Sequence, residues 1–243
     1  MTRILRAELL KLRTTRTFVA LVGAAAAISL LAVVLATTLG GDYDEDDVRG
    51  ILTSDFSSLF IVLLAVSGMA GEWRHRTITS TVLAAPDRIR LLAAKMLAYA
   101  VAGAVLSLLV SVTMVLVGSI ILSASGEPTL GVADLADLLW RNLVVAAFLG
   151  AFGVCVGGLV RNQVAAVIGL LVVMFAVEPT LLAFAPEVGR FAPFNGAPSG
   201  VLDIPGFGDD DLLSPGVSLL VMAGWIAGLF AATAAVLRGR DLT

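Results

Sequence analysis

The sequence predicts an all-α, polytopic membrane protein with six transmembrane helices and both termini on one side of the bilayer. The first observation is composition. Of 243 residues, 58% are hydrophobic and 14% charged, whereas soluble domains carry about 45–50% apolar and about 25% charged residues. Mean hydropathy is +0.98. The second is a set of six apolar runs, each near the roughly 20 residues that a helix needs to cross a hydrocarbon core of about 30 Å. The third is charge placement. With six spans, thirteen of the sixteen Lys and Arg fall on one side and thirteen of the nineteen acids in the three loops on the other. Lysine and arginine collect on the cytoplasmic side, so the termini are placed in the cytoplasm and the chain is read as a multi-pass plasma-membrane protein. A net charge of -3 gives no reason to expect a nucleic-acid partner.

Residues 1–17 set Arg3, Arg6, Lys11, Arg13 and Arg16 against Glu8 alone, with Leu5, Leu9 and Leu12 at helical spacing. This is an amphipathic N-terminal helix on the membrane surface, or a basic tail that only fixes topology. The first span covers 18–39, longer than the apolar core of a secretory signal, about 7–15 residues. Residues 40–50 hold Asp42, Asp44, Glu45, Asp46 and Asp47 against Arg49. Their spacing fits no calcium loop, so they read as a solvated outer loop. The second span covers 51–70. Thr53, Ser54 and Asp55 suit a helix N-terminus, where the dipole favours an anion, and a buried functional carboxylate is the competing reading for Asp55.

The third span, 96–122, is long enough to tilt or protrude. An outer segment, 123–139, leads to the fourth span, 140–160. Only Arg161, Asn162 and Gln163 separate that span from the fifth, 164–185, which forces an antiparallel hairpin. A long outer loop, 186–215, precedes the sixth span, 216–237. Gly153 and Gly157 in the fourth span and Gly224 and Gly228 in the sixth form Gly-x-x-x-Gly pairs that permit close helix packing, within one chain or between two. Cys155 is the sole cysteine. An internal disulfide is excluded, and its apolar neighbours assign it to packing.

The loop at 71–95 is the longest strongly basic interval. Trp73 suits the interface, Pro86 interrupts the segment, and Asp87 can cap a helix running through Arg88 and Arg90 into the third span. The loop is thus a short element held between two rigid helices, placed to receive a push from a partner protein. At the far end Glu178-Pro179 must break or kink the fifth span, and Phe184, Phe191, Phe194 and Phe207 lie among Gly and Pro. An intramembrane hydrolase would need a nucleophile and base or a metal set within the spans. The sole histidine, His75, is instead in a loop and reads as a surface hydrogen-bonding residue. Uncharged span centres argue against an ion-driven transporter. That absence favours a path powered by an external ATPase, or by nothing, with another kind of small transporter or a membrane-embedded regulatory or assembly subunit as the alternative.

Gly71-Glu72, Arg76-Thr77, Leu83, Pro86, Arg88 and Lys95, with the N-terminal run Ala7 to Arg13, resemble type-2 ABC transporter permeases, particularly the short six-span members of high-GC Gram-positive bacteria. Arg76 departs from the glycine common there. The resemblance implies a transport subunit, not an enzyme, whose 71–90 loop is a coupling helix on a separate ATP-binding subunit. Glu72, Arg74, His75, Arg76, Thr77, Pro86 and Arg88 are placed at that contact. It further implies that Glu178, Pro179, Phe191 and Phe194 shape an outer gate and that a second permease chain, identical or not, completes the path. ATP and magnesium are expected on the partner, since the chain has no Gly-x-x-x-x-Gly-Lys-[Ser/Thr] loop. No cofactor or metal is expected on this chain. The apolar spans suggest a hydrophobic or amphipathic cargo such as a drug, an antibiotic or a lipid.

Overall fold

In the computed structural model, residues 2–39, 43–53, 55–74, 87–160, 162–203 and 212–238 are described. Among them there are helices and no strand. α1 (Thr2–Thr14) is followed by α2 (Arg16–Leu39), α3 (Glu45–Thr53), α4 (Ser57–Arg74), α5 (Arg88–Ser125) and α6 (Val132–Val160). α7 (Gln163–Val172) runs through a π-helical turn, Val173–Val177, into α8 (Glu178–Phe184). Short helices α9 (Pro186–Gly189) and α10 (Ala197–Leu202) precede α11 (Pro215–Arg238). Six stretches are long and apolar enough to cross a membrane: Arg16–Leu39, Glu45–Arg74, Arg88–Ser125, Val132–Val160, Gln163–Phe184 and Pro215–Arg238.

The element limits follow local chemistry. Asp87 starts α5 by accepting from Ile89 N and Arg90 N, each at 3.1 Å, which satisfies two of the N–H groups a helix start leaves unpaired. Gly126, at φ 80°, ends it, its N–H turning back to Leu122 O and Ser123 O; this left-handed cap favours glycine. α5 therefore holds 38 residues, beginning before and ending after the third span read at 96–122. The segment 88–95, assigned to the basic loop, is the first two turns of this helix. The fourth helix likewise starts at Val132, inside what reads as an outer loop. The second span, read as continuous over 51–70, is two helices with Asp55 and Phe56 outside both. Asp55 accepts from Ser57 N at 3.0 Å and from the Ser57 hydroxyl, capping α4. It also accepts from the Ser111 hydroxyl of α5, which in turn accepts from Asn142 Nδ2 of α6 at 3.2 Å. The cap is thus one end of a polar chain across three helices.

α6 is the centre of the bundle, packed on both α4 and α5. Glycines set those contacts. A Cβ at Gly150 would lie 2.3 Å from Tyr99 O of α5, one at Gly153 2.9 Å from Val62 O, and one at Gly157 2.7 Å from Val66 O of α4. In lipid no hydrophobic force drives helices together, so such backbone approach supplies much of the attraction. The other Gly-x-x-x-Gly pair does something different: Gly224 and Gly228 are exposed, with nothing within 4 Å of a Cβ at either. α2 contributes a single face, Ala25, Ser29, Val33 and Thr37, and the buried Cys155 lies in the core, its thiol 3.5 Å from Met96 Sδ.

The two glycine pairs give a test. Gly157→Leu should destabilise the chain by about 1–3 kcal/mol, as overpacking does, read in detergent as a lowered thermal midpoint. Gly228→Leu should leave the isolated chain within about 0.5 kcal/mol of wild type, as for other surface changes. Equal losses from both would contradict the packing described.

Candidate functional site

α1 lies against α5 with Leu12 buried and Leu5 and Leu9 partly buried against the core, while Arg3, Arg6 and Arg13 are exposed. The same inward face carries Glu8. From the second turn of α5, Lys95 Nζ donates to Glu8 Oε2 at 2.8 Å and to Glu72 Oε1 at 2.7 Å. Lys11 of α1 also donates to Glu72 Oε1. Relative exposures are 2% for Lys95, 3% for Glu72 and 6% for Glu8. The middle of α1, the last turn of α4 and the first turns of α5 are therefore joined through one buried ammonium group.

Glu72, placed by resemblance at a contact with another subunit, is buried within this chain in the last turn of α4, facing Lys95 two turns inside α5. Arg74, also assigned to that contact, is exposed, its guanidinium 3.4 Å from Gln163 Oε1. Arg88 reaches from the start of α5 to Leu237 O near the end of α11. His75, Arg76, Thr77 and Pro86 lie outside the described residues. Glu8 and Lys95 were not singled out as a pair by sequence reasoning. The one available signal was that each interrupts an apolar stripe at helical spacing.

At the opposite end of the bundle, Glu178 is 1% exposed. It accepts from Phe194 N at 3.1 Å and from Asn195 N at 2.6 Å, with Asn195 Nδ2 at 3.3 Å. Pro179 does not simply break the fifth span. The helix takes a π-turn before it, with the Glu178 N–H bonded to Val173 O. Two carbonyls of that region are satisfied from side chains, Met174 O by Asn195 Nδ2 at 2.7 Å and Ala176 O by Thr180 Oγ1 at 2.6 Å. Membrane helices tolerate proline when the backbone is re-satisfied in this way.

Residues 186–203 are thereby folded onto the bundle. Phe194 is buried, edge-on to Phe152 of α6 with centroids 5.1 Å apart. Phe191 is exposed, and its carbonyl accepts from Trp225 Nε1 at 2.9 Å. Beside them Asp137 lies 3.1 Å from Arg49 and 2.7 Å from Arg141. Among the described residues no three His, Cys, Asp or Glu gather where a metal ion could be held. Asp55 and Glu178, the two carboxylates open to a catalytic reading, are both engaged by capping and loop-closing donors.

Comparison with known proteins adds a family. Residues 4–177 match the family model described as ABC-2 family transporter protein. No curated protein matches the chain.

Two measurements follow from the two clusters. Lys95→Met should cost about 3–5 kcal/mol, since it strands the buried Glu8 and leaves Glu72 with only the half-exposed Lys11, and adding Glu8→Gln and Glu72→Gln should recover part of that loss. Thermal unfolding in detergent reads both, and a triple variant less stable than the single one would contradict the charge argument. Glu178→Ala should remove about 1–3 kcal/mol by leaving buried N–H groups unpaired and should speed proteolysis within 186–203.

Proposed function

The chain belongs to the ABC-2 transporter family, and on that premise we propose that it is the membrane-spanning permease subunit of an ABC exporter. Its cargo is a hydrophobic or amphipathic molecule, a drug, an antibiotic or a lipid, carried across the plasma membrane. A separate ATP-binding subunit, holding ATP and magnesium, powers the movement, and two permease chains enclose the path. The α1 end then faces the cytoplasm, in keeping with its excess of Lys and Arg.

One observation carries this reading. The segment 75–86 runs from the end of α4 to the Asp87-capped start of α5, and those two ends are tied to each other and to α1 by Lys95, Glu72 and Glu8. A partner that displaces the segment moves the three helices as a unit, because separating any one of them would strand a buried charge, at a cost of about 3–5 kcal/mol. The contact with the ATPase falls to Arg74, His75, Arg76, Thr77, Pro86 and Arg88. Glu72 acts behind it as a positioning residue. At the other end the 186–203 segment, held by Glu178 and by Phe194 on Phe152, is the gate that such a movement reaches.

The test is co-purification from native membranes in mild detergent. Wild type is compared with the double variant Arg74→Glu and Arg76→Glu, which leaves the buried cluster intact. An ATP-binding subunit should accompany wild type and fall by about tenfold or more with the variant, since like charges set against each other at an interface cost several kcal/mol. Absence of any ATP-binding subunit from the wild-type preparation overturns the reading.

A further inference from the structure

Beside the ion cluster lies a cavity of about 370 Å³, lined among others by Lys11, Thr17, Leu64, Ser67, Glu72 and Tyr99. We infer that this cavity binds the ammonium group of an amine-bearing amphiphile, with Glu72 as the acceptor and Lys11 as the internal cation that the ligand displaces.

Three observations converge on that chemistry. The first is an unused acceptor. Glu72 is 3% exposed, and its Oε1 takes both Lys95 and Lys11, whereas Oε2 is buried and accepts no hydrogen bond from the described residues. A buried carboxylate oxygen without a donor is unfavourable, and a charged donor compensates it best. The second is the local charge. Of the deeply buried groups, Glu8 and Glu72 are opposed by Lys95 alone. Balance comes from Lys11, whose side chain is 52% exposed. That side chain is long and free to turn back to water, and so it is exchangeable for another ammonium.

The third observation is size and lining. At about 370 Å³ the cavity has room for much more than a bare inorganic cation, which would share it with water. Leu12, Leu64 and Gly68 line it with carbon for an alkyl body, and Thr15, Thr17, Ser67 and Tyr99, which carry hydroxyls, line it as well. Gly68 is needed at this wall because the Tyr99 hydroxyl lies 1.8 Å from where its Cβ would be. The site stands on the chain's own residues. That its ligand is cargo rests on the permease reading.

The experiment uses the full chain in lipid nanodiscs and radiolabelled dodecylamine, with binding to empty discs subtracted and dodecanol as the uncharged control. Wild type should bind the amine saturably. Glu72→Gln should weaken it by about tenfold, and Lys11→Met should tighten it by about threefold, because an ion-paired acceptor is freed. Dodecanol binding should be indifferent to both changes. Non-saturable binding by folded wild type overturns the proposal. So does equal weakening by the two variants, which marks the residues as structural only, or displacement of the amine by potassium chloride beyond that by choline chloride, which marks an inorganic-cation site. Thermal midpoints identify a variant that has lost its fold, and Lys11→Met then decides alone. An absent ATP-binding subunit in the co-purification leaves these binding results unaffected, so the two readings fail separately.

Discussion

Lys95 cannot be buried alone. An ammonium group taken out of water into a packed bundle costs several kcal/mol, and it persists only where carboxylates face it at hydrogen-bond distance. Here they come from two places far apart in the chain, Glu8 on α1 and Glu72 on α4. The need is mutual, since Glu8 without Lys95 would be a stranded anion and Glu72 would keep only the half-exposed Lys11. The position of the N-terminal helix follows from this mutual need more than from its leucine stripe. The stripe turns α1 inward; the ion pair fixes where along α5 it stops.

The cluster also divides the molecule mechanically. α6, with Gly150, Gly153 and Gly157 seated on neighbouring backbones, makes a tight core with α4 and α5. Backbone contacts of this kind admit little sliding, because side chains cannot adjust where there are none. α11 and the fifth span are held differently, most of their residues facing outward from the bundle. Motion with the lowest cost is therefore motion of the peripheral helices against a stiff centre, in line with the general rule that locally weak packing marks what moves.

Local chemistry was legible in the sequence and long-range chemistry was not. The Asp87 cap, the leucine face of α1 and the six apolar runs depend on residues within a turn or two of one another, and their spacing carries the information. The pair Glu8 and Lys95 is separated by 87 positions, and nothing local marks them as partners. Glu72 read as part of a basic loop because its neighbours Arg74 and Arg76 are polar, although the helix continues past it to satisfy Lys95. The two Gly-x-x-x-Gly pairs are indistinguishable as strings. Only the bundle separates Gly157, pressed on α4, from Gly228, which meets nothing in this chain. Glu178-Pro179 showed that the helix must be disturbed there. It did not show that Asn195 and Thr180, brought in from either side, would repair the disturbance.

That repair bears on how the two ends of the molecule communicate. A π-turn holds one residue more than the α-turn it replaces, and its hydrogen bonds are fewer to lose when it unwinds. Val173–Val177 sits in the least buried of the six candidate spans, one residue short of Pro179, and depends on Asn195 of the 186–203 segment for one of its carbonyl partners. Asn195 is itself positioned by Glu178, one residue beyond that turn. The outer segment and the fifth span are thus coupled over a few residues, so neither rearranges without the other. A rearrangement that releases Asn195 from Met174 O leaves a carbonyl unpaired in an apolar setting, which favours shifting the π-turn along the helix over breaking it. The disturbed turn of the fifth span is in this way held from residues 186–203, through Asn195 on Met174 O and Glu178 on Asn195.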